Sequence, residues 1–267
     1  MSPDYIARFA GIGRLYGRPA LARLHDAHVC VVGLGGVGSW TVEALARSGI
    51  GRITLVDMDE VCVSNTNRQL HATAATGGKF KAEVLAERVR AINPECRVKA
   101  VCKFFTASTA EEILDGNRPD WLVDAIDGVK NKALLVASCR ERGIPVVVSG
   151  GCAGKRDGTA VRTADLGATG HDPLLKFVRK KLRQEHGFEK GNKVTFGIPC
   201  VFSTEESTMP EGLCEGLPGA KTDEDMTPNC EWGYGTATFV TGAFGFAAAG
   251  LVVKSIAEAE PVDAAIP

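Results

Sequence analysis

Residues 28–33 read HVCVVG, a β-branched, apolar run of the kind buried on both faces of a sheet. They break directly into Gly33-Leu34-Gly35-Gly36-Val37-Gly38, and helical spacing begins at Ser39. A strand, a glycine turn and a helix in that order aim backbone N–H groups and the positive helix end at a phosphate, and the missing side chains let it come close. A second apolar run, residues 52–57 (RITLVD), ends in Asp57, 19 residues after Gly38. A carboxylate at that place accepts hydrogen bonds from ribose hydroxyls. Gly33, Gly35, Gly36, Gly38 and Asp57 therefore read as contacts to an adenine nucleotide. By themselves they leave NAD, FAD and ATP open.

Three more β-branched runs, at 97–104, 120–125 and 144–149, alternate with segments of helical spacing at 39–48, 81–92, 107–114 and 130–142. Regular alternation of strand and helix calls for a parallel sheet covered by right-handed crossovers. The fold class expected is α/β: a Rossmann-like, mostly parallel sheet of five strands flanked by helices, with a smaller C-terminal α+β extension. The division expected is an N-terminal helical arm (1–27), a nucleotide-binding domain (28–151) and a C-terminal substrate and dimer region (152–267), within what 267 residues allow. Thirty-one Lys and Arg against 32 Asp and Glu leave a formal charge of -1, so no global field draws the chain to nucleic acid or membrane. Nine scattered cysteines without a CxxC pair, and no apolar leader in the first thirty residues, read as a reduced, cytoplasmic protein.

The grammar changes after Gly151. Leu174, Val178 and Leu182 form one helical stripe, while Lys176, Arg179, Lys180 and Arg183 recur on another, with Lys181, Lys190 and Lys193 close by. This cationic face is either a solvated surface or a grip for an anionic partner. Residues 205–231 invert the balance, with eight acidic residues against Lys221 and several prolines and glycines, which predicts a mobile acidic loop. Residues 232–253 then carry no charge and are rich in Ala, Gly, Thr and Phe, a length at the threshold of a membrane span. Their small residues suit a helix packed within the protein or at a subunit interface, and membrane contact is the alternative.

Residues near the glycine turn narrow the nucleotide. Asp57-x-Asp59 is followed by Ser64-Asn65-Thr66-Asn67-Arg68-Gln69 and then by Lys81 at the start of the next helix. Arg68 and Lys81 lie beyond the carboxyl ends of the strands, where the nucleotide sits, and clustered cations call for an anion between them. A triphosphate supplies one, and hydride transfer needs none. The bland alternative is that both merely pair with surface acids. Asp127, in Asp124-Ala125-Ile126-Asp127, reaches the same rim, where one carboxylate can hold Mg2+ on phosphate oxygens. Asp124 is alternatively a strand-end cap. The five histidines show no HxxxH spacing, and only His71 is near the nucleotide motif.

The string VVGLGGVGSWTVEALARSGIGRITLVDMDEVCVSNTNRQ, continued by Lys81, DAIDGVKNK and IPVVVSGG, resembles the adenylating domain of the ubiquitin-activating superfamily, which includes the bacterial molybdopterin and thiamine sulfur-carrier activators. RFAGIGRLYG, NTNRQLHA, INPECRV, VFSTE and GYGTATFVTGAFGF extend the likeness over nearly the whole chain, to the bacterial tRNA threonylcarbamoyladenosine dehydratase family. The resemblance implies an ATP- and Mg2+-dependent homodimer that forms an acyl-adenylate. Its substrate would be tRNA carrying N6-threonylcarbamoyladenosine beside the anticodon, whose threonine carboxylate is activated and cyclised. It assigns Asp57 to the ribose, Asn65, Arg68 and Lys81 to the phosphates and Asp127 to the metal. An arginine from the partner subunit would join them, with Arg8 and Arg14 as candidates and Arg14 preferred. The cationic helix (Lys176, Arg179, Lys180, Lys181, Arg183) becomes a candidate RNA grip. Cys230 falls where relatives carry a cysteine, and the family's association with a cysteine-desulfurase system allows a sulfur-relay thiol there, against a buried packing residue. Activation of a ubiquitin-like sulfur carrier, or NAD-dependent redox chemistry, are the competing functions.

Overall fold

The computed structural model describes residues 1–116, 118–191, 194–208 and 234–259. Three short helices open the chain, α1 (Pro3–Arg8), α2 (Ala10–Tyr16) and α3 (Arg18–Asp26), and α3 leads straight into β1 (His28–Val32). Then follow α4 (Gly36–Arg47), β2 (Arg52–Val56), α5 (Lys81–Ile92), β3 (Arg97–Val101), α6 (Ala110–Leu114), β4 (Trp121–Asp124), α7 (Val129–Glu141) and β5 (Val146–Ser149). The five strands read from sequence are all present. Beyond them lie β6 (Val161–Asp165), α8 (Pro173–Glu185), β7 (Pro199–Ser203) and α9 (Thr238–Ala257).

Among the described residues the sheet has seven strands, in the order β3-β2-β1-β4-β5-β7-β6. Every pair is parallel except β6–β7, so the C-terminal half adds two strands to the same sheet. The reversal between β1–β2 on one side and β4 on the other opens a crevice at the carboxyl end of β1, where ligands bind in open α/β sheets. Alternate side chains of each strand feed two cores. Val29, Val31, Ile53, Leu55, Val123 and Val147 face the side covered by α4, α5 and α9. Cys30, Val32, Val56, Leu122, Val146 and Val148 face α6, α7 and α8.

The uncharged stretch becomes α9, a helix long and apolar enough to cross a membrane, yet sunk along one side in the first core. Its small residues let it lie against α4. A Cβ on Gly36 would come 2.8 Å from Thr241 Cγ2, and one on Gly245 would come 2.7 Å from the Val37 carbonyl oxygen and 2.8 Å from Trp40 Cβ. Thr41 Oγ1 donates to the Gly245 carbonyl at 3.2 Å across this contact. At the other end Arg23 of α3 donates to the carbonyls of Ile256 and Ala257, giving the last turn of α9 the cation its dipole favours. Phe239 and Phe246 are left exposed on the outer side of α9.

This packing separates two glycines of one helix. Gly245→Ala should lower the unfolding free energy by about 1–3 kcal/mol, the usual cost of overpacking, although alanine favours a helix by about 1 kcal/mol. Gly250→Ala, where an added Cβ meets nothing within 4 Å, should instead stabilise by up to about 1 kcal/mol. Urea unfolding of both variants measures the difference.

Candidate functional site

At the carboxyl rim of the sheet the four glycines have different tasks. Gly33 turns at φ +87°, and a Cβ there would sit 2.7 Å from the Ala125 carbonyl oxygen; a Cβ on Gly38 would strike the Gly33 carbonyl at 1.8 Å. Those two let loop, helix and strand close on each other. Gly36 is taken up by the contact with α9. Gly35 is the position with room above it, its nearest neighbour being Gln69 Nε2 at 3.8 Å from an added Cβ. Gly35 also N-caps α4 with no side-chain hydrogen bond, so the helix start is presented to an anion by backbone alone.

Asp57 ties the loop down. Its Oδ2 accepts the Leu34 N–H at 2.6 Å and its Oδ1 the Asp59 N–H at 2.8 Å. Two amides occupy about half of the roughly four lone-pair sites of a carboxylate, leaving acceptors for ribose hydroxyls. Burial pushes its carboxyl above the ordinary range, against the pull of those amides and of Lys81.

The cations come next. Lys81 is the first residue of α5; its backbone N–H donates to the Asp59 carbonyl at 3.0 Å and its buried ammonium lies 2.8 Å from Asp59 Oδ2. The acid pairing weighed from sequence is thus real for Lys81, but its partner is half exposed and also belongs to the rim. Arg68 makes no ion pair among the described residues. Its guanidinium donates to the Ser64 carbonyl at 2.7 Å and to Asn67 Oδ1 at 3.1 Å. Its own carbonyl is clamped by Trp40 Nε1 and Thr241 Oγ1, both at 3.2 Å. Asn65, buried at the end of a 3-10 turn (Val63–Asn65), accepts the Cys62 N–H at 3.1 Å.

Gln69, the last residue of the string that follows Asp59, and His71, just after it, line the same loop, and the motif gives neither a role. Both are buried, and neither ring nitrogen of His71 nor the Gln69 carbonyl oxygen has a partner among the described residues. Burial, reinforced by Lys81, depresses the His71 pKa to about 4, so the imidazole is neutral beside the ammonium.

On the opposite lip, Asp127 is exposed just ahead of α7. The loop carrying it is stitched by Lys132, fully buried, whose ammonium donates to the carbonyls of Asp124 (3.2 Å) and Ile126 (2.9 Å) and lies 3.1 Å from Asp124 Oδ1. Asp124 is therefore internal, its carboxyl raised by burial, and also accepts the Ile126 N–H at 3.0 Å. Among the described residues no three His, Cys, Asp or Glu side chains converge on a metal position. A single exposed carboxylate suits Mg2+, which keeps most of its water and takes phosphate oxygens.

The other candidates fall elsewhere. Arg8 pairs with Asp4 at 2.8 Å, and Arg14 is exposed on α2. The arm that carries them is anchored at the far end of the sheet, where the Tyr5 hydroxyl donates to the Gly49 carbonyl just past α4. Lys176, Phe177, Lys180, Arg183, Gln184 and Lys190 line an open cleft of about 570 Å³ along α8. Arg179 also borders it, but its guanidinium turns inward onto Thr169 Oγ1. Lys181 is bound to Glu185, one turn on, and does not line it. Seven cysteines are described, all of them free thiols. Cys214, Cys230, Lys193 and most of the acidic stretch lie outside the described residues.

The ThiF family matches residues 10–265. The tRNA threonylcarbamoyladenosine dehydratase of Haemophilus influenzae is 47% identical over 95% of this chain and 94% of its own. Two crystal structures of E. coli tRNA N6-threonylcarbamoyladenosine dehydratase are also similar, each at 45% identity over 96% of both chains. The complex with AMP superposes with a TM-score of 0.85 and the complex with ATP with 0.84.

A neutral, buried His71 has a measurable consequence. Unfolded, it protonates near 6.5; folded, near 4, so between these values the unfolded chain binds more protons and stability falls as pH falls. His71→Leu should remove about 2 kcal/mol of the destabilisation wild type suffers between pH 7 and 4.5, read as a flatter pH dependence in urea titrations.

Proposed function

The chain belongs to the ThiF family, and on that footing we propose that it is an ATP-dependent dehydratase that cyclises N6-threonylcarbamoyladenosine next to the anticodon of tRNA. The observation that carries this reading is the company Asp57 keeps. One carboxylate for a ribose shares its rim with the uncapped start of α4, the buried ammonium of Lys81 and the guanidinium of Arg68, which is more positive charge than a dinucleotide needs. The likeness to the dehydratases through both halves of the chain supports the tRNA substrate in particular.

The chemistry follows from a poor leaving group. The oxygen of a free threonine carboxylate cannot be displaced at neutral pH, so activation comes first. A carboxylate oxygen attacks the α-phosphorus of ATP; the new O–P bond forms as the bond to the bridging oxygen breaks, and pyrophosphate departs. Arg68 and Lys81 offset the charge that accumulates on the phosphates. The carbamoyl group of the same nucleoside then attacks the acyl carbon, AMP leaves with the carboxylate oxygen, and a proton passes to solvent. The substrate is lighter by one water. Nucleophile and acyl carbon are already tethered, so proximity supplies much of the acceleration and no enzyme thiol is required. Asp127 is the residue that would hold Mg2+, whose charge would neutralise phosphate oxygens.

Domain roles follow the same reading: 1–27 is an arm, 28–151 the adenylating domain, and 152–267 the substrate and dimer region. The working unit is a homodimer. Phe239 and Phe246, exposed on α9, suit burial against a second copy, and Arg14, carried by an arm anchored at the other end of the sheet, serves the partner's phosphates. A tRNA substrate and ATP suit a cytoplasmic enzyme.

Mass spectrometry of nucleosides from threonylcarbamoylated tRNA incubated with the protein, ATP and Mg2+ should show loss of one water. Lys81→Ala should reduce that conversion at least about 100-fold while the chain still folds, since its partner Asp59 is half exposed and can be hydrated. Pyrophosphate exchange that needs modified tRNA agrees with this reading. Exchange that needs a small protein ending in Gly-Gly would replace it with sulfur-carrier activation.

A further inference from the structure

An exposed aromatic ring among lysines on α8 has no role in the nucleotide chemistry. The helix buries Leu174, Leu175, Val178 and Leu182 in the second core. Phe177 is not part of that stripe: it is 45% exposed, and it lines the 570 Å³ cleft between Lys176 and Lys180. Lys176 and Lys180 stand one turn, about 6 Å, apart along the helix, both exposed, and neither forms an ion pair among the described residues. Gln184 follows one turn later on the same side, offering both donors and acceptors, and Lys190 borders the cleft from the segment after the helix.

The placement of α8 matters as much as its charge. Asp172 caps it and accepts the Gly151 N–H at 2.9 Å, just past the carboxyl end of β5, so the helix starts on the rim that carries the nucleotide site. At its far end the His186 carbonyl accepts from Arg140 at 2.6 Å, beside the last turn of α7. The helix therefore descends from the rim alongside α7. Lys176 lies one turn below Asp172, and a strand laid along Gln184, Lys180 and Lys176 is led toward the rim.

Resting on the dehydratase reading above, we infer that this cleft is where unpaired nucleotides of the anticodon loop bind, with one base stacked on Phe177 and the flanking phosphates held by Lys176, Lys180 and Lys190. An aromatic face accepts any base, and lysines pair with the backbone, so the cleft positions the loop without reading its sequence. Two of the cationic residues named from sequence leave the footprint. Arg179 is spent on Thr169, and Lys181 on Glu185. Arg183 is turned partly to the carbonyls of Glu189 and Gly191, and shapes the floor that Lys190 rises from.

The test is filter binding of threonylcarbamoylated tRNA to the full-length protein at moderate salt, run beside the ATP-dependent water-loss assay. Phe177→Ala should weaken tRNA binding about tenfold or more, and Phe177→Tyr should restore it. The double variant Lys176→Gln, Lys180→Gln should lower the slope of log affinity against log salt by about one unit or more. Lys181→Gln should bind as wild type does. ATP affinity measured without RNA identifies any variant whose loss comes from misfolding. If wild type converts the tRNA while both cleft variants bind it unchanged, the cleft is not the RNA site and the dehydratase reading stands. If wild type neither binds nor converts it, both fall. Adsorption to anionic vesicles through Phe177 with no RNA affinity would also overturn the inference.

Discussion

One carboxylate organises the rim. Asp57 sits at the end of β2, yet its two oxygens reach backward to the turn after β1 and forward to the segment leading to Lys81. Besides that bridge, the Gly33 N–H to Val56 carbonyl bond sets the glycine turn against β2. A turn rich in glycine has the largest conformational entropy to lose, so a charged acceptor at its centre stabilises it where side chains cannot. Burial of a carboxylate is unfavourable in itself, and the two amides with nearby Lys81 pull against that cost without cancelling it. The proposed nucleotide site and the fold are therefore set by the same hydrogen bonds.

Around this centre, residues of distant sequence hold the reactive groups by their backbones. Trp40 and Thr241 grip the Arg68 carbonyl, fixing the backbone from which its guanidinium extends to the Ser64 carbonyl and Asn67 Oδ1. Lys132, whose charge is wholly internal, pins the peptide units ahead of Asp127. A buried ammonium that breaks from its partner leaves an uncompensated charge, so such a pair defines one arrangement of the loop more strongly than it adds stability.

Much of this was legible from residue order. Buried parallel strands are β-branched on both faces, so β1, β2, β4 and β5 show as plain runs, whereas β3, read as a buried run over 97–104, is an edge strand over Arg97–Val101 with Arg97 and Lys99 exposed. β7 is buried on both faces but begins with proline and has Val201 as its one β-branched residue, and β6 is an edge strand whose Arg162 and Thr163 face water, so neither repeats that pattern. At the site, Asp57, Arg68 and Lys81 were legible because strand ends and helix starts fix where spacing must place them. Trp40, Thr241 and Lys132 were not, because each works on a main-chain carbonyl and no motif marks the donor. Helical spacing likewise put Arg179 on the cationic face of α8, but spacing says nothing about which arginine bends back onto a threonine. The uncharged stretch at 232–253 carries a membrane-like hydropathy for a packing reason: a helix that meets another at glycine and threonine must be both small and apolar.

The contact between α4 and α9 joins residues about two hundred positions apart, as Thr41 and Gly245 do. During synthesis the first half emerges with the glycine face of α4 bare, and α9 covers it only after some two hundred further residues have been made. The turn after β1 thus gains this support only once α9 is available to pack, and formation of long-range contacts governs how fast the rim assembles.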